Sequence, residues 1–440
     1  MSAPVAAIIG LVVMFVIATA LPINMGALAF VGAFVIGLIS GMPAKDIFAG
    51  FPGDLFVTLV GITYLFAIAR NNGTIDWLIH RAVWLVRGRI AAIPWVMFIV
   101  AGVLTAVGAV SPAAVAIIAP VALRFAHKYH IPPLMMGVMV VHGAQAGGFS
   151  PMSIYGGITN QVVERAGLPR SDIALFLASL LFNFAVAILI YLIFRGHRAA
   201  RGEVAGKRAE QASEALSEHD QTPSAIDSPA SEDLGSQPLQ DGLDMHRALT
   251  LIGLMALGVG SLVFELNVGL LAISVAVLLA LLAPNAQKGA VDQVSWSTVL
   301  LITGVITYVS VLQNVGAVEM VGARVSSIGA PLLGALLLCY IGGGVSAFAS
   351  SVAVLGATIP LAVPFLLQGQ VQAVGVVAAI AVSSTIVDVS PFSTNGALVV
   401  ASAQGVDKDR FYREMLLYSG LVVAIGPFLT WLVLILPGWL

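Results

Sequence analysis

The sequence predicts an all-α polytopic membrane protein built from two repeated halves of opposite orientation. Of the 440 residues, 59% are hydrophobic and 10% are charged, whereas a soluble globular protein has about 25% charged residues. The hydrophobic residues form long runs, each near the roughly 20 residues that a membrane-spanning helix requires. Two of these runs carry the same interruption, at Ser150-Pro151 and at Ser390-Pro391. The composition therefore indicates a membrane protein, and the repeated interruption indicates two halves.

Residues 1–195 form the predicted first half. In chain order we expect spans near 5–21, 25–41 and 55–70, a re-entrant hairpin at about 92–127, a broken helix at about 133–162 and a span near 173–194. The hairpin is predicted because two short apolar arms flank Ser111-Pro112. A tip at this point would stop near the middle of the membrane, where its polar groups need protein or water as partners.

The break in the first half lies between Gly147 and Gly157. Pro151 lacks an amide hydrogen and keeps Ser150 out of the α region, so a helix cannot continue through it. The stretch from Ser390 to Gly396 repeats Ser, Pro, Ser and Gly in register. Broken helices at corresponding points of two halves are the best sequence indication of a transporter's binding site.

Residues 196–246 are predicted to be a disordered cytoplasmic linker between the halves. They hold 10 of the 22 acidic residues and few large apolar side chains. Such a segment buries too little surface to offset the entropy of ordering it. The basic residues at its start place it in the cytoplasm, because cytoplasmic loops carry an excess of Lys and Arg.

Residues 247–440 form the predicted second half, in which the elements recur in the same order. We expect spans near 247–264, 267–284 and 297–314, a re-entrant hairpin at about 331–366, a broken helix at about 372–404 and a span near 413–436. Ser351, at the second hairpin tip, follows Ser111 at the same offset that separates the two broken loops. Each half has five crossings, an odd number, so the halves are predicted to be inverted. The basic loop residues then place both chain termini outside.

The hairpin tips and the broken loops are the predicted site. The unpaired N–H groups at a helix start attract a carboxylate, and carbonyl and hydroxyl oxygens suit a sodium ion or another hard cation. Two kinked ordinary spans are the alternative, but the repeat at a fixed offset favours a site. The predicted substrate-binding residues are Ser111, Pro112, Ser153, Tyr155, Gly156, Ser351, Ser393, Thr394, Asn395 and Gly396. The predicted cation-binding residues are Ser111, Gly148, Ser150, Ser350, Ser351, Asp388 and Ser390.

Two ionisable residues of the broken helices are candidate proton carriers. Asp388 is the acidic residue placed deep in a span, and intramembrane carboxylates usually mark ion or proton handling. A structural carboxylate that caps the broken helix is the alternative. His142 could also carry a proton, but such a histidine is more often neutral and satisfied by a backbone carbonyl. The residue equivalent to Asp388 in the first half is Gly148, so the first half does not share the carboxylate.

Several function classes lack support in the sequence. There is no phosphate-binding Gly-x-x-x-x-Gly-Lys-Ser/Thr motif, no His-Glu-x-x-His, no Gly-x-Ser-x-Gly and no Cys/His cluster. We therefore expect neither an ATP-driven motor nor an enzyme. We expect no cofactor besides Na⁺ or H⁺ as a coupling ion, and no nucleic-acid partner.

Four stretches resemble a known family, the bacterial dicarboxylate carriers typified by the malonate carrier MatC. They are Ala20-Leu21-Pro22-Ile23-Asn24-Met25-Gly26, Phe51-Pro52-Gly53-Asp54-Leu55-Phe56, Gly108-Ala109-Val110-Ser111-Pro112 and His142-Gly143-Ala144-Gln145-Ala146-Gly147-Gly148-Phe149-Ser150-Pro151. The close match extends from the start of the chain to just beyond the last of these stretches. The layout of the whole chain is similar to that of the divalent-anion/sodium symporters of the ion transporter superfamily.

This resemblance implies a scaffold domain and a transport domain in each protomer, a homodimer, an elevator-like motion, and cation sites between hairpin tip and broken loop. The symporters carry Ser-Asn-Thr at each tip, where this chain has Val110-Ser111-Pro112 and Ser350-Ser351-Val352. Ser393-Thr394-Asn395 resembles the Thr-Pro-Pro-Asn of their second loop. The departures at the tips leave the cation stoichiometry and the position of the dicarboxylate open.

These observations predict a secondary active carrier that moves a small dicarboxylate, malonate or a C4 acid, across the bilayer of the bacterial cytoplasmic membrane. Sodium ions or protons would drive it. A cation/proton antiporter of the same superfamily is the alternative, with Asp388 as the exchanging carboxylate. A passive anion channel is a further alternative, although the polar residues gather at two points and do not line a continuous path.

Overall fold

The computed structural model describes residues 2–21, 23–85, 90–216, 243–264, 266–317, 320, 331–348, 351–367, 369, 371–403 and 407–438. Over these residues the secondary structure is helical, and they include no β-strand. The predicted all-α class is therefore confirmed.

The first ten helices end near the predicted boundary between the halves. They are α1 (Ala3–Ala20), α2 (Met25–Ser40), α3 (Ala44–Ala49), α4 (Gly53–Asn71), α5 (Thr74–Leu85), α6 (Ile93–Ala106), α7 (Ser111–Lys128), α8 (Pro133–Gly147), α9 (Ile154–Arg165) and α10 (Asp172–Leu216). A short 3₁₀ turn, Ile90–Ala92, precedes α6. Both proline-containing breaks expected here are present as helix ends, because α6 stops before Ser111-Pro112 and α8 stops before Pro151.

The remaining helices follow a similar order. They are α11 (Met245–Leu262), α12 (Val268–Leu282), α13 (Pro284–Gln287), α14 (Trp296–Asn314), α15 (Pro331–Ser346), α16 (Ser351–Leu366), α17 (Ala373–Ile386), α18 (Thr394–Ala401) and α19 (Lys408–Leu434). A 3₁₀ turn, Val387–Val389, lies between α17 and α18. Two features therefore occur twice in the chain. One is a pair of helices that meet near a serine, and the other is a broken helix.

Helix ends follow local capping chemistry. The Asn24 side chain accepts a hydrogen bond from the Gly26 amide at 2.8 Å at the start of α2, and Asn267 accepts one from the Leu270 amide at the start of α12. Such caps satisfy amides that have no partner within the helix. Gly41 ends α2 with a φ of 70°, a left-handed conformation that glycine adopts without steric cost.

Among the described residues, five helical stretches are long and apolar enough to cross a membrane. They are Gly53–Asn71, Asp172–Phe194, Trp296–Asn314, Ala373–Ala401 and Lys408–Leu434. Shorter apolar helices accompany them. Large apolar side chains such as Phe34, Ile173 and Leu281 lie exposed on the outer helices. Lipid is the environment in which such a surface is stable. The chain is a multi-pass membrane protein.

Helix packing connects the two halves crosswise. Within the first half α8 packs against α6 and α10, and within the second half α17 packs against the corresponding helices, α15 and α19. Between the halves, α7 packs against α18, and α16 packs against α9. The second helix of each pair therefore lies against the broken helix of the other half, which brings both serine-containing tips towards the two broken loops.

The predicted linker requires a correction at both ends. Helix α10 continues to Leu216, so disorder does not fit residues 196–216. This stretch is rich in Ala, Glu, Arg, Lys and Gln, which are strong helix formers, and a preceding span supplies the helix nucleus that is otherwise costly. Helix α11 begins at Met245. Residues 217–242 lie outside the described residues, and disorder remains a prediction there.

Candidate functional site

The first broken loop is held together by one serine. Ser153 begins α9 as its N-cap, and its hydroxyl donates to the carbonyls of Gly148 at 2.5 Å and Ser150 at 2.7 Å. The same oxygen accepts from the Gly156 amide at 3.2 Å. This one side chain closes the loop and satisfies a free amide of α9. A Cβ atom at Gly156 would collide with the Ser150 carbonyl.

The second broken loop has the same bonds at the equivalent positions of the second half. The Ser393 hydroxyl donates to the carbonyls of Asp388 and Ser390, both at 2.7 Å, and accepts from the Gly396 amide at 3.4 Å. A Cβ atom at Gly396 would collide with the Ser390 carbonyl. We predicted Ser153 and Ser393 as substrate-binding residues. Their protons are used by carbonyls of their own loops, which gives both a structural role.

The two loops differ in how they are anchored. The Ser150 hydroxyl donates to the carbonyl of Ala106, so the first loop is tied to the end of α6. The corresponding Ser390 hydroxyl accepts a hydrogen bond of 3.3 Å from the amide of Phe392, within its own loop. Both serines are buried. Within the described part of the chain the Ser390 hydroxyl donates no hydrogen bond, whereas Ser150 donates to the hairpin.

A buried carboxylate and amide connect the second loop to the first tip. The Asn395 amide nitrogen donates to the Ser111 hydroxyl oxygen at 2.8 Å and to Oδ2 of Asp388 at 2.9 Å. Ser111 and Asp388 are each 3% exposed, and Asn395 is fully buried. The other side-chain atom of Asn395, Oδ1, is buried and has no hydrogen-bond partner among the described residues. A buried acceptor that lacks a partner is costly, and a ligand or cation at this point would satisfy it.

Two further predicted residues complete the set. The Tyr155 hydroxyl lies within reach of the Ser111 hydroxyl, and Asp388 is close enough for its charge to be felt at Tyr155. The Ser351 hydroxyl reaches Asp388. We call Ser111, Tyr155, Ser351, Asp388 and Asn395 the junction cluster. It takes residues from both tips and both broken helices, so the sequence prediction that these elements converge agrees with the geometry.

Some predicted residues lie at the edge of the junction cluster or beyond it. Thr394 is exposed, Pro112 is half-buried in the first turn of α7, and Gly148 is buried, with its carbonyl accepting from Ser153. Ser350 lies outside the described residues. Among the described residues, no group of three His, Cys, Asp or Glu side chains could hold a metal ion. A cation at the junction cluster would therefore rely on one carboxylate, hydroxyls, an amide oxygen and backbone carbonyls.

His142 lies apart from the junction cluster. Its Nδ1 is 2.9 Å from Oδ1 of Asn183, and its Nε2 is 2.6 Å from the Tyr418 hydroxyl. Asn183 donates through its own nitrogen to the Ser179 carbonyl, so its Oδ1 accepts from His142. A neutral imidazole that donates at Nδ1 and accepts at Nε2 satisfies every partner. The histidine thus joins α8, α10 and α19.

Two cavities lie at opposite ends of α4. The larger, about 900 Å³, is lined by Thr58 near the start of α4 and reaches Met152 and Ser153 of the first broken loop. The smaller, about 70 Å³, is lined by Arg70 at the other end of α4 and reaches Val110 beside the first tip.

The first hairpin tip packs closely against α4 and the first broken loop. A Cβ atom at Gly108 would lie 2.8 Å from Ile62 and 3.3 Å from the Met152 carbonyl, and Gly108 has a φ of 120°. Ile62 is fully buried. Tip, α4 and broken loop therefore meet without space for a side chain. Thr63 and Ala109, next to this contact, line the smaller cavity, and Met152 lines the larger one.

Comparison with known proteins agrees with this architecture. Residues 1–148 match the family model for the N-terminus of the dicarboxylate carrier protein MatC. The resemblance seen in the sequence is confirmed over this region. No curated protein matches the chain.

A solved structure shares the fold over most of the chain. The crystal structure of the Alcanivorax borkumensis YdaH transporter, described as revealing an unusual topology, aligns with a TM-score of 0.58 at 14% identity. The alignment covers 88% of this chain and 86% of that chain. Both matches are to carriers or transporters and neither is to an enzyme, as the sequence predicted.

Sequence reasoning missed the residues that hold His142. Asn183 and Tyr418 lie 41 and 276 positions away along the chain. An asparagine inside the apolar span of α10 was the one available signal, because a polar side chain in a membrane helix needs a partner within the protein.

Proposed function

We propose that this chain is a secondary active transporter for a small dicarboxylate, and that Asp388 couples transport to a cation. The observation that carries the proposal is the hydrogen-bonded set Ser111–Asn395–Asp388, where a carboxylate of the second broken loop is joined to the first hairpin tip. The carrier family that matches residues 1–148 and the transporter that shares the fold support it.

The junction cluster offers the dianion partial charges and hydroxyls. Helices α7 and α16 begin at Ser111 and Ser351, and α18 begins beside Asn395. The first amides of a helix carry a partial positive charge that favours carboxylates. The cluster itself contains neither lysine nor arginine. Malonate or a C4 dicarboxylate would bind through helix ends and hydroxyls, with one carboxylate towards each tip.

Coupling follows from the charge of Asp388. A dianion placed beside an ionised, buried carboxylate is strongly repelled, because the interaction of charges grows as the local dielectric falls. The dianion therefore binds well only when a proton or a sodium ion neutralises Asp388. A sodium ion would find oxygen ligands in Asp388, Ser351 and the unpartnered Oδ1 of Asn395, a ligand type that hard cations prefer. Either ion makes substrate and cation binding cooperative.

Alternating access would proceed by an elevator-like motion of inverted halves in a homodimer. Support for a repeat of the two halves comes from the two loops, which have the same hydrogen bonds at equivalent positions. Support for the motion comes from the two cavities, which are lined by residues next to the tight contact of Gly108 with Ile62 and Met152. We place the protein in the bacterial cytoplasmic membrane, with both termini outside and residues 196–246 in the cytoplasm.

A cation/proton antiporter is the second candidate, and the buried Asp388 is the observation that favours it. In this case one carboxylate would bind a proton and a sodium ion in turn. The substrate would then be the cation alone, and dicarboxylates would neither move nor bind.

Uptake into proteoliposomes separates these functions. Labelled malonate and succinate are supplied while a sodium gradient and a pH gradient are imposed one at a time. We expect accumulation of at least one acid with one of the gradients, and its loss in Asp388→Asn but not in Asp46→Asn, which changes an exposed carboxylate of α3 that lines neither cavity. Dicarboxylate uptake that is independent of both ions would refute coupling. Proton movement on adding sodium, without uptake of either acid, would establish the antiporter.

A further inference from the structure

The smaller cavity offers one positive charge close to the first hairpin tip. Thr63, Phe66, Ala67 and Arg70 of α4 form one wall. The opposite wall is the tip and first turns of α7, including Ala109, Val110, Ala113, Ala114 and Ile117. A group that enters this cavity is therefore one residue away from Ser111 of the junction cluster.

Arg70 is the charged residue among those that line this cavity, and the lining includes no acidic side chain. None of the ion pairs found among the described residues involves Arg70. The larger cavity differs in this respect, because its arginine, Arg170, is paired with Asp172 at 2.7 Å and with Glu164 at 3.1 Å. The charged lining of the smaller cavity is therefore one exposed arginine, whereas the larger cavity is lined by charges of both signs.

The end of α4 is held firmly in place. The Asn71 side chain donates to the Ala286 carbonyl at 2.9 Å and accepts from Gln293 at 2.8 Å. The Asn72 side chain donates to the Thr250 hydroxyl at 2.6 Å. These bonds fix the backbone that carries Arg70 to α11 and to the segment after α12. The charge is therefore presented from a rigid support, while the facing wall belongs to the hairpin.

We propose that Arg70 is a positioning residue that attracts and orients the dicarboxylate in the smaller cavity, and that it favours dianions over monoanions on this side of the membrane. This inference rests on the proposed function. A charge in a cleft with low-dielectric walls focuses its field, and such steering raises association rates by about 10- to 1,000-fold. Because the energy is proportional to ligand charge, a dianion gains twice the electrostatic free energy of a monoanion.

Transport from one side at a time tests the proposal. The full-length protein is reconstituted in one orientation, and the half-saturating succinate concentration is measured on each side for wild type, Arg70→Gln and Arg70→Lys. At low salt we expect Arg70→Gln to raise the half-saturating succinate concentration about tenfold, as removal of one steering charge predicts. The rise should occur only on the side of the membrane to which the smaller cavity opens. Arg70→Lys should stay near wild type. Added salt should reduce the difference between wild type and Arg70→Gln, because the Debye length falls to about 8 Å at physiological ionic strength.

Arg410→Gln is the matched control, since it removes an equal charge from a surface ion pair with Glu414 that lines neither cavity. It should leave both half-saturation values unchanged. Equal values for wild type and Arg70→Gln on both sides at low salt would refute the proposal.

A chemical readout keeps the inference testable if the chain moves no dicarboxylate. Ala113 is exposed on the facing wall, so Ala113→Cys in a Cys339→Ser background can react with methanethiosulfonate reagents of similar size and opposite charge. Arg70→Gln should lower the ratio of anionic to cationic labelling rates about tenfold, the size expected for a cleft potential of a few kT. An unchanged ratio would refute the positive cavity, whereas a lowered ratio without any dicarboxylate uptake would refute only the proposed function.

Discussion

The two broken loops can be compared position by position, and they agree in backbone and differ in charge. In each, a serine at the N-cap donates to carbonyls five and three residues earlier and accepts from the amide three residues later. The position occupied by Asp388 in the second loop is Gly148 in the first. The shared hydrogen bonds stabilise the loop that interrupts a membrane helix in each half. Under our proposal the carboxylate of Asp388 binds the coupling ion in the second half alone.

The second position after each N-cap serine differs as well. Tyr155 and Asn395 occupy equivalent places in the two halves, and both reach Ser111. The first loop presents a phenol there, and the second presents an amide that also binds Asp388. One hairpin tip is therefore contacted by both loops, and under our proposal an ion bound in one half would affect the other through Ser111.

Alanine at the loop glycines should have the largest effect. Gly156→Ala and Gly396→Ala each push a Cβ atom into a loop carbonyl, and overpacking of this kind costs roughly 1–3 kcal/mol or more. We expect both variants to lose transport and to unfold at lower temperature, to similar extents. Gly344→Ala and Gly420→Ala, which have open space around them, serve as controls. Normal uptake by either loop variant would show that the loop geometry is not required.

Removing the amide of the second loop should be more harmful than removing the phenol of the first. Asn395→Ala breaks bonds to Ser111 and Asp388, and a hydrogen bond to a charged group is worth roughly 1.5–3 kcal/mol. Coupled uptake should fall by about 10- to 100-fold, which is this energy expressed as a rate ratio. Tyr155→Phe should cost only a few-fold. A larger loss of coupled uptake in Tyr155→Phe than in Asn395→Ala would show that the phenol of the first loop matters more than the amide of the second.

The N-cap serines should show a smaller and equal effect. Ser153→Ala and Ser393→Ala each remove a cap, which costs about 1 kcal/mol. We expect both to lower the unfolding midpoint by a few degrees in a thermal melt, and to leave the half-saturating substrate concentration within about twofold of wild type, since neither hydroxyl proton faces a ligand. A selective loss of substrate affinity in either variant would give that serine a binding role.

His142 should have the smallest effect on coupling. His142→Gln loses at least one of the bonds to Asn183 and Tyr418, so the free energy of unfolding should fall by about 1–2 kcal/mol. The pH dependence of uptake should stay as in wild type, because the imidazole is an anchor and carries no transported proton. A pH profile displaced in His142→Gln, at normal protein yield, would instead make it a proton carrier.

Local signals in the sequence predicted the breaks well. Glycine followed closely by Ser-Pro occurs at both breaks, and proline keeps the residue before it out of the α region. The helix ends before Ser111 and Pro151 could therefore be predicted from the residues alone. The helix through residues 196–216 was missed because the prediction rested on the composition of this segment taken by itself. In the structure the segment continues a preceding helix, α10.

Contacts between distant residues could not be predicted from the sequence. Asn395 meets Ser111 across 284 positions, and only the crosswise packing of α7 on α18 creates this contact. The same limit explains why the sequence predicted Ser153 and Ser393 as substrate-binding residues. Their residue type fits a ligand as well as a cap, and the direction of the hydroxyl decides between the two roles.

The central claim is that Asp388 couples the cation to the dicarboxylate, and Asp388→Asn measured in two modes tests it most directly. Accumulation is followed with an imposed sodium or pH gradient, and exchange is followed with equal succinate on both sides and no gradient. The account predicts that Asp388→Asn loses accumulation but keeps exchange, because a neutral side chain still admits the dianion while no longer requiring a cation. Accumulation at the wild-type level in Asp388→Asn would contradict it.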